Sequence, residues 1–504
     1  MKKFIILLLI AVIAAGVLVF CGENTDAEPE NPDSIASPGE DDTETPAAEA
    51  VKIEPDLPED LDFGGYTFTF LTHREDTAGW DWVTSDPREI TAEEETGDPI
   101  NDAVFRRNAT LQAKYNFELD MITIADEVSM LRRAVNAGDD IYDAAMIYNN
   151  NVPGAVQNDL LTEISKLSYI DQDKPWWDPA ANQMSIAGMN FLLAGDLMIL
   201  DNEATNAMIF NKDMIADMAL EVPYNLVTEG KWTMDALFDM VRDAGTDLNG
   251  DGEMRYMDDR FGLITFNDTL QALLISGGGA FAAKDEKDIP FMDFAGERNI
   301  AVLEKAMNLM YKDTNPSVFN VQSVDAGSGN VTWMAAYYNT FEENRALFMW
   351  IRMRVVEVFR GMEANFGILP MPKYDENQTS YRSLVNPYTG VMLGVPKSAG
   401  ELDRTSMILE AISAESKYTL QPAYYEIVLT RQFTRDVESE AMLDIIFGSR
   451  IYDIGGVYSF GDVFSGFTDL ASRENRDVAS YYERRGPAMQ TAIDRLVDRI
   501  ENLE

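Results

Sequence analysis

The chain has 504 residues, 46% of them hydrophobic, which is enough apolar material for two to four domains. It carries 86 acidic against 40 basic side chains, a net charge of -46, and a field of that sign repels phosphate backbones, so no nucleic-acid partner is expected. A single cysteine, Cys21, and a single histidine, His73, exclude an internal disulfide and Cys/His zinc sites, and confine any Ser-His-Asp triad to His73.

Lys2 and Lys3 precede an apolar run from Phe4 to Phe20 that ends at Cys21, the layout of a secretory signal peptide over 1–21. A cysteine at the end of such a run resembles a bacterial lipobox, with Cys21 as the lipid attachment site. Leu18 fits that pattern and the bulky Phe20 departs from it. The opposing reading is an uncleaved helical anchor, and the run is shorter than the roughly 20 residues a span needs. Both readings place the rest of the chain outside the cytoplasm on a cell membrane. Residues 22–57 are rich in Glu, Asp, Pro and Ala and poor in large apolar residues, which predicts a disordered, self-repelling acidic tether.

Beyond a Gly64-Gly65 turn, the alternating stretch 66–72 predicts a first strand. Helical spacing follows over 99–115, then a strand over 117–124, a helix over 129–136 closed by Gly138 and a strand over 142–147. That alternation argues for a parallel sheet with crossover helices. Short strands are expected at 190–193 and 207–210, a helix capped by Thr233, a strand at 261–264, a loop over 277–290 and a helix over 299–311. Strands at 366–371 and 391–395 precede a helix over 401–413, and the C-terminal part is helical, with periodicity at 439–446 and 488–503.

The sharpest local motif is Asp247-Leu-Asn249-Gly-Asp251-Gly-Glu253, reaching Asp258. Oxygen donors at loop positions 1, 3 and 5, Gly at 6 and a carboxylate at 12 are what an EF-hand-type calcium loop requires. Asp247, Asn249, Asp251, Glu253 and Asp258 are therefore the candidate ligands of a structural Ca2+. The opposing reading is a metal-free Asp/Asn/Gly turn: Asp258 is shorter than the usual Glu, and a strand rather than a helix follows.

An ordered series of segments carries a family resemblance: DFGGYTFTFLT at 62–72, PINDAVFRRNATLQAKYNFEL at 99–119, AGDDIYDAAMI at 137–147, LLTEISKL at 160–167, FNKDMI at 210–215, KWTMDALFDMV at 231–241, FGILPMPKYDENQ at 366–378 and GVPKSA at 394–399. With the Cys21 anchor, this series resembles the extracellular solute-binding proteins of ABC importers, in particular their carbohydrate-binding branch. The resemblance implies a two-lobe α/β fold of the type II periplasmic-binding-protein class, with a hinge and a solute cleft between lobes. The implied lobes are 58–206 with 371–415, and 207–370 with 416–504. It also implies a saccharide ligand, a membrane ABC permease as partner, a monomer, and binding without enzymatic chemistry.

Sugars stack their C–H faces on aromatic rings and hydrogen-bond through hydroxyls to planar acceptors and donors. Trp176, Trp177 and Asp178 supply both, and Asp201, Asn202 and Glu203 lie beside the first predicted crossing between lobes. Trp80, Trp82 and Trp333 are further candidate contacts, although tryptophans that wedge the lobes apart would look the same. Trp232, at the start of a capped helix, reads as core. Two rival functions remain: a tethered polysaccharide-active enzyme, which needs a carboxylate pair in a cleft, and a surface sensor or adhesin without transport. No P-loop, GxSxG or HExxH motif is present.

Overall fold

The computed structural model describes residues 52–73, 88–323, 333–362, 365–430 and 437–503. Cys21, Trp80 and Trp82 lie outside them.

The first sheet grows from Tyr66–His73, whose inward residues Phe68 and Phe70 are fully buried. It runs parallel to Phe117–Ile124 along its whole length and to Ala144–Tyr148 on its other side. The intervening helix Pro99–Tyr115 starts where Asp98 accepts the N–H groups of Ile100 and Asn101, and it ends at Asn116 in the left-handed region, φ 55. The helix Glu127–Ala137 is capped by Asp126 and stopped by Gly138 at φ 70. Val391–Gly394 completes the sheet, antiparallel to Ala144–Tyr148. Of the strand expected at 190–193, a single antiparallel bridge between Leu193 and Leu393 remains.

The second sheet has five strands in the order Phe366–Leu369, Asn206–Asn211, Ala346–Arg352, Phe261–Thr265, Val318–Asn320. Its middle strand, Ala346–Arg352, is buried at every residue, so both faces of this sheet are covered. Trp232 belongs to this core: it is fully buried, stacks on Phe348 at 5.6 Å and donates its Nε1–H to the Pro370 carbonyl at 2.9 Å. The segment 277–290 is not wholly a loop, because Ala282–Lys284 pairs with Pro290–Met292 as a hairpin.

Together the two sheets and their helices form the two-lobe fold. The segments that join the lobes lie side by side. Thr205 bridges Val385, Asn206 Nδ2 donates to the Leu384 carbonyl at 2.6 Å, and Asn386 N–H donates to the Ala204 carbonyl at 3.0 Å. Ser383–Leu384 also runs parallel to Arg450–Ile451. The chain passes a third time from the first sheet's helices to the second sheet between Leu420–Thr430 and Val437–Gly448, the latter packing on Phe366–Leu369. Leu402–Tyr418 runs beyond Ser413, and Leu420–Thr430 packs on the first-lobe helix Pro99–Tyr115.

Two boundaries differ from expectation for identifiable reasons. Residues 52–57 belong to the folded body, because Lys52 pairs with Glu415 at 2.6 Å, Ile53 N–H donates to the Tyr418 hydroxyl, and Lys174 pairs with Asp56. The last helix, Val478–Glu501, continues through Pro487 instead of beginning after it. Among the described residues no helix is long and apolar enough to cross a membrane.

Candidate functional site

The DKPWWDP segment is fixed from two sides. Its backbone pairs with a second turn: Asp178 N–H donates to the Ala194 carbonyl and Asp196 N–H to the Trp176 carbonyl, at 2.9 and 2.8 Å. Gly195 makes this approach possible, since a Cβ there would stand 2.3 Å from the Trp176 carbonyl oxygen. From the other side, Glu410 on Leu402–Tyr418 accepts both indole N–H groups, from Trp176 at 3.1 Å and from Trp177 at 2.7 Å. Burial pushes the Glu410 carboxyl up to about 7, against the pull of those donors.

The two tryptophans therefore part company. Trp176 is fully buried and presents no ring face to a solute, whereas Trp177 borders a cavity of about 680 Å³. With Trp177 and Asp178, that cavity is lined by Asp196, Lys417 and Tyr425 from the first lobe and by Asp444, Phe447 and Arg450 from the stretch beyond the third passage. Tyr425 and Phe447 meet edge to face at 5.2 Å. A second cavity of about 640 Å³ adjoins it through the shared residues Gln183, Asp444, Gly448 and Arg450, and is walled by Ser380, Tyr381, Arg382 and Ser449. Each volume lies within the range of small-ligand sites, and each lining mixes aromatic rings with charged and amide groups.

Arg450 is the centre of this cleft. It pairs with Asp178 at 3.0 Å and with Asp201 at 3.3 Å, and it also donates to the Asn202 side-chain oxygen. Burial disfavours its charge, but Asp201 and then Asp178 outweigh that, and its pKa stands above the ordinary arginine value. Tyr452 donates to Asp201 at 3.1 Å, and Asn202 Nδ2 donates to Gln421 at 2.9 Å. Asp196, beside Lys417 at 3.5 Å, is pushed up to about 6 by burial.

Of the candidate contacts, Trp177 and Asp178 line the cleft directly, while Asp201 and Asn202 stand behind it as supports of Arg450. Glu203 faces another way, into an ion cluster with Arg88 at 2.6 Å and Arg354 at 3.0 Å. Trp333 begins the helix Trp333–Glu342. His73 pairs with Glu127 at 2.7 Å and packs on Tyr148. Arg450, Glu410, Lys417, Tyr425 and Arg382 carry no local sequence signal; they matter through what they meet in space.

In the Asp247–Asp258 loop the carboxylates are engaged locally. Asp247 accepts the N–H groups of Gly250 and Gly252, and Asp251 accepts that of Glu253. Arg255 binds both Asp251 and Glu253. Asp259, one residue past the expected closing position, accepts from Leu248 and Arg255 N–H. Among the described residues no group of three or more carboxylate, histidine or cysteine side chains is arranged to hold a metal ion.

No family model matches the chain, and no curated protein matches it. Solved structures do. UspC of M. tuberculosis shares 15% identity at a TM-score of 0.55, over 84% of this chain and 100% of its own. A cyclo/maltodextrin-binding protein complexed with maltotetraose shares 13% at 0.52, over 87% and 98%. An ABC substrate-binding protein from Listeria monocytogenes, in complex with cycloalternan, shares 12% at 0.50, over 87% and 99%. At these identities the likeness establishes the fold, that of the type II two-lobe solute-binding proteins.

Proposed function

We propose that this protein captures a saccharide in the cleft between its lobes and hands it to an ABC permease, without covalent chemistry. The observation that carries this reading is the convergence of Trp177, Asp178 and Arg450 on one cavity of sugar-binding size and composition. An indole edge or face, a carboxylate and a guanidinium held rigid by buried partners are what a polyhydroxylated ring needs for stacking and bidentate hydrogen bonds. The fold neighbours named for maltotetraose and cycloalternan support the same class of ligand. Attachment to the membrane through Cys21 and action as a monomer belong to the proposal, since a tethered receptor stays near its permease.

Native mass spectrometry of the purified full chain tests it. A retained mass matching a mono- or oligosaccharide, lost in Trp177→Ala, is the expected result; slow hydrolysis of the bound sugar would favour a tethered enzyme instead. A structural calcium ion in the Asp247–Asp258 loop is a separate proposal, and it requires Arg255 to release Asp251 and Glu253. It predicts that EDTA lowers the melting temperature of the wild type and leaves Asp247→Ala/Asp251→Ala unaffected. An identical melt with and without EDTA in the wild type removes it.

A further inference from the structure

In a chain with 86 acidic and 40 basic residues, a cation inside a binding cleft is expected to find a carboxylate. Arg450 has Asp178 and Asp201, and Lys417 has Asp196. Arg382, on the wall of the second cavity, has none: it makes no ion pair among the described residues. It is half-buried, and its Nε is buried without a hydrogen-bond partner among them. Asp453, the carboxylate that acts on it most, is beyond ion-pair distance and is occupied by the N–H groups of Phe281 and Gly456, at 3.1 and 2.9 Å.

The surroundings add positive charge. Arg298, close enough to oppose the charge of Arg382, spends its donors on the Gly277 carbonyl and lies over the Tyr374 ring at 4.1 Å. Lys373 donates to the Gln378 carbonyl at 2.8 Å. Neither makes an ion pair among the described residues. Neutral donors stand beside Arg382 in the cavity, in Ser380, Ser449 and Gln183. Asp444 lies exposed on the wall shared by the two cavities.

We propose that the second cavity seats a singly charged oxyanion substituent of the solute on Arg382, so that the solute is an acidic saccharide. This rests on the saccharide reading above. A planar guanidinium with free donors matches an oxyanion through two parallel hydrogen bonds, and that pairing offsets the cost of its partial burial. The net charge of -46 and Asp444 at the shared wall disfavour multiply charged ligands, which selects one charge per solute. A uronic-acid carboxylate and a sulfate ester both supply it.

Calorimetric titration of the full chain with an aldobiouronic acid carrying a single carboxylate, a monosulfated disaccharide and neutral maltotriose tests the proposal and separates the two sources. One acidic saccharide is expected to bind at least about 30-fold more tightly than maltotriose, and Arg382→Gln to erase that advantage, bringing the ratio of the two affinities, both measured on the variant, close to one. Arg382→Lys, which keeps the charge and loses the fork, is expected to retain part of it and serves as the second variant if the Gln form does not fold. Equal binding of neutral and acidic saccharides, or a preference that survives Arg382→Gln, overturns the inference alone. If no saccharide of either kind binds, the saccharide reading itself falls, and this inference with it.

Discussion

Arg450 shows how the cleft is held in shape. Its ion pairs with Asp178 and Asp201 and its bond to Asn202 join residues about 250 positions apart in the chain. Removing one member of such a buried set strands the others, so Arg450→Met is expected to lower unfolding free energy by about 3–5 kcal/mol. Adding Asp201→Asn to that variant should restore part of the loss, read by urea denaturation. A second residue-scale prediction concerns pH. Burial, followed by Glu203, pushes the Glu89 carboxyl up to about 8, and burial pushes Glu410 up to about 7. Both lie above the ordinary glutamate value of about 4.3, so the folded state holds these protons more tightly than the unfolded chain. Their stabilising contribution is complete below that ordinary value and is lost as pH rises through 7 to 8. Melting temperature should fall across this window, and Glu89→Gln, which mimics the protonated acid, should flatten the fall; an unchanged slope contradicts the assignment. At this scale Trp177 and Asp178, which line the cavity, were legible as candidates, because aromatic and carboxylate neighbours in a loop are a composition signal. It could not reveal Arg450 or Glu410, since a lone charged residue acquires its role only from partners far away in sequence.

Elements position these residues through close backbone contacts. The pairing of Trp177 with Gly195 fixes the backbone from which the buried indole reaches the cavity wall. Gly195→Ala places a Cβ 2.3 Å from the Trp176 carbonyl, so the segment must shift. The expected outcome is a saccharide affinity reduced by at least about 10-fold, because displacements near 1 Å at a site have effects of that order or larger. At the joining segments, Asn206→Ala leaves the Leu384 carbonyl without its side-chain donor, at a cost of about 1–3 kcal/mol seen in thermal or denaturant unfolding. Elements with a clear period were readable: the strand at 66–72 and the helix over 99–115 alternate or repeat on one face. Ala346–Arg352 was not, because a strand buried on both sides has no alternation to detect. The 190–193 stretch misled in the opposite direction: its apolar residues are buried, but only Leu193 pairs with a neighbouring strand.

For the molecule as a whole, residues 52–57 are part of the folded body, docked onto the first lobe by the ion pairs of Lys52 with Glu415 and of Lys174 with Asp56. Composition alone assigns 52–57 to the tether, since a stretch poor in large apolar residues gives no sign of docking until its partners are known. The two-lobe arrangement was legible from the order of segments along the chain, whereas the cleft lining depended on where the third passage brings 444–450 against 175–196. Solute binding is expected to draw the lobes together around Arg450, the Tyr425–Phe447 contact and Trp177. Saccharide capture in this cleft is tested by isothermal titration of the full-length protein with a panel of neutral and acidic oligosaccharides, run in parallel on Trp177→Ala. Saturable one-to-one binding of at least one saccharide by the wild type, lost or steeply weakened in the variant, is the expected result. No binding by any member of the panel, or binding indifferent to Trp177, would contradict it.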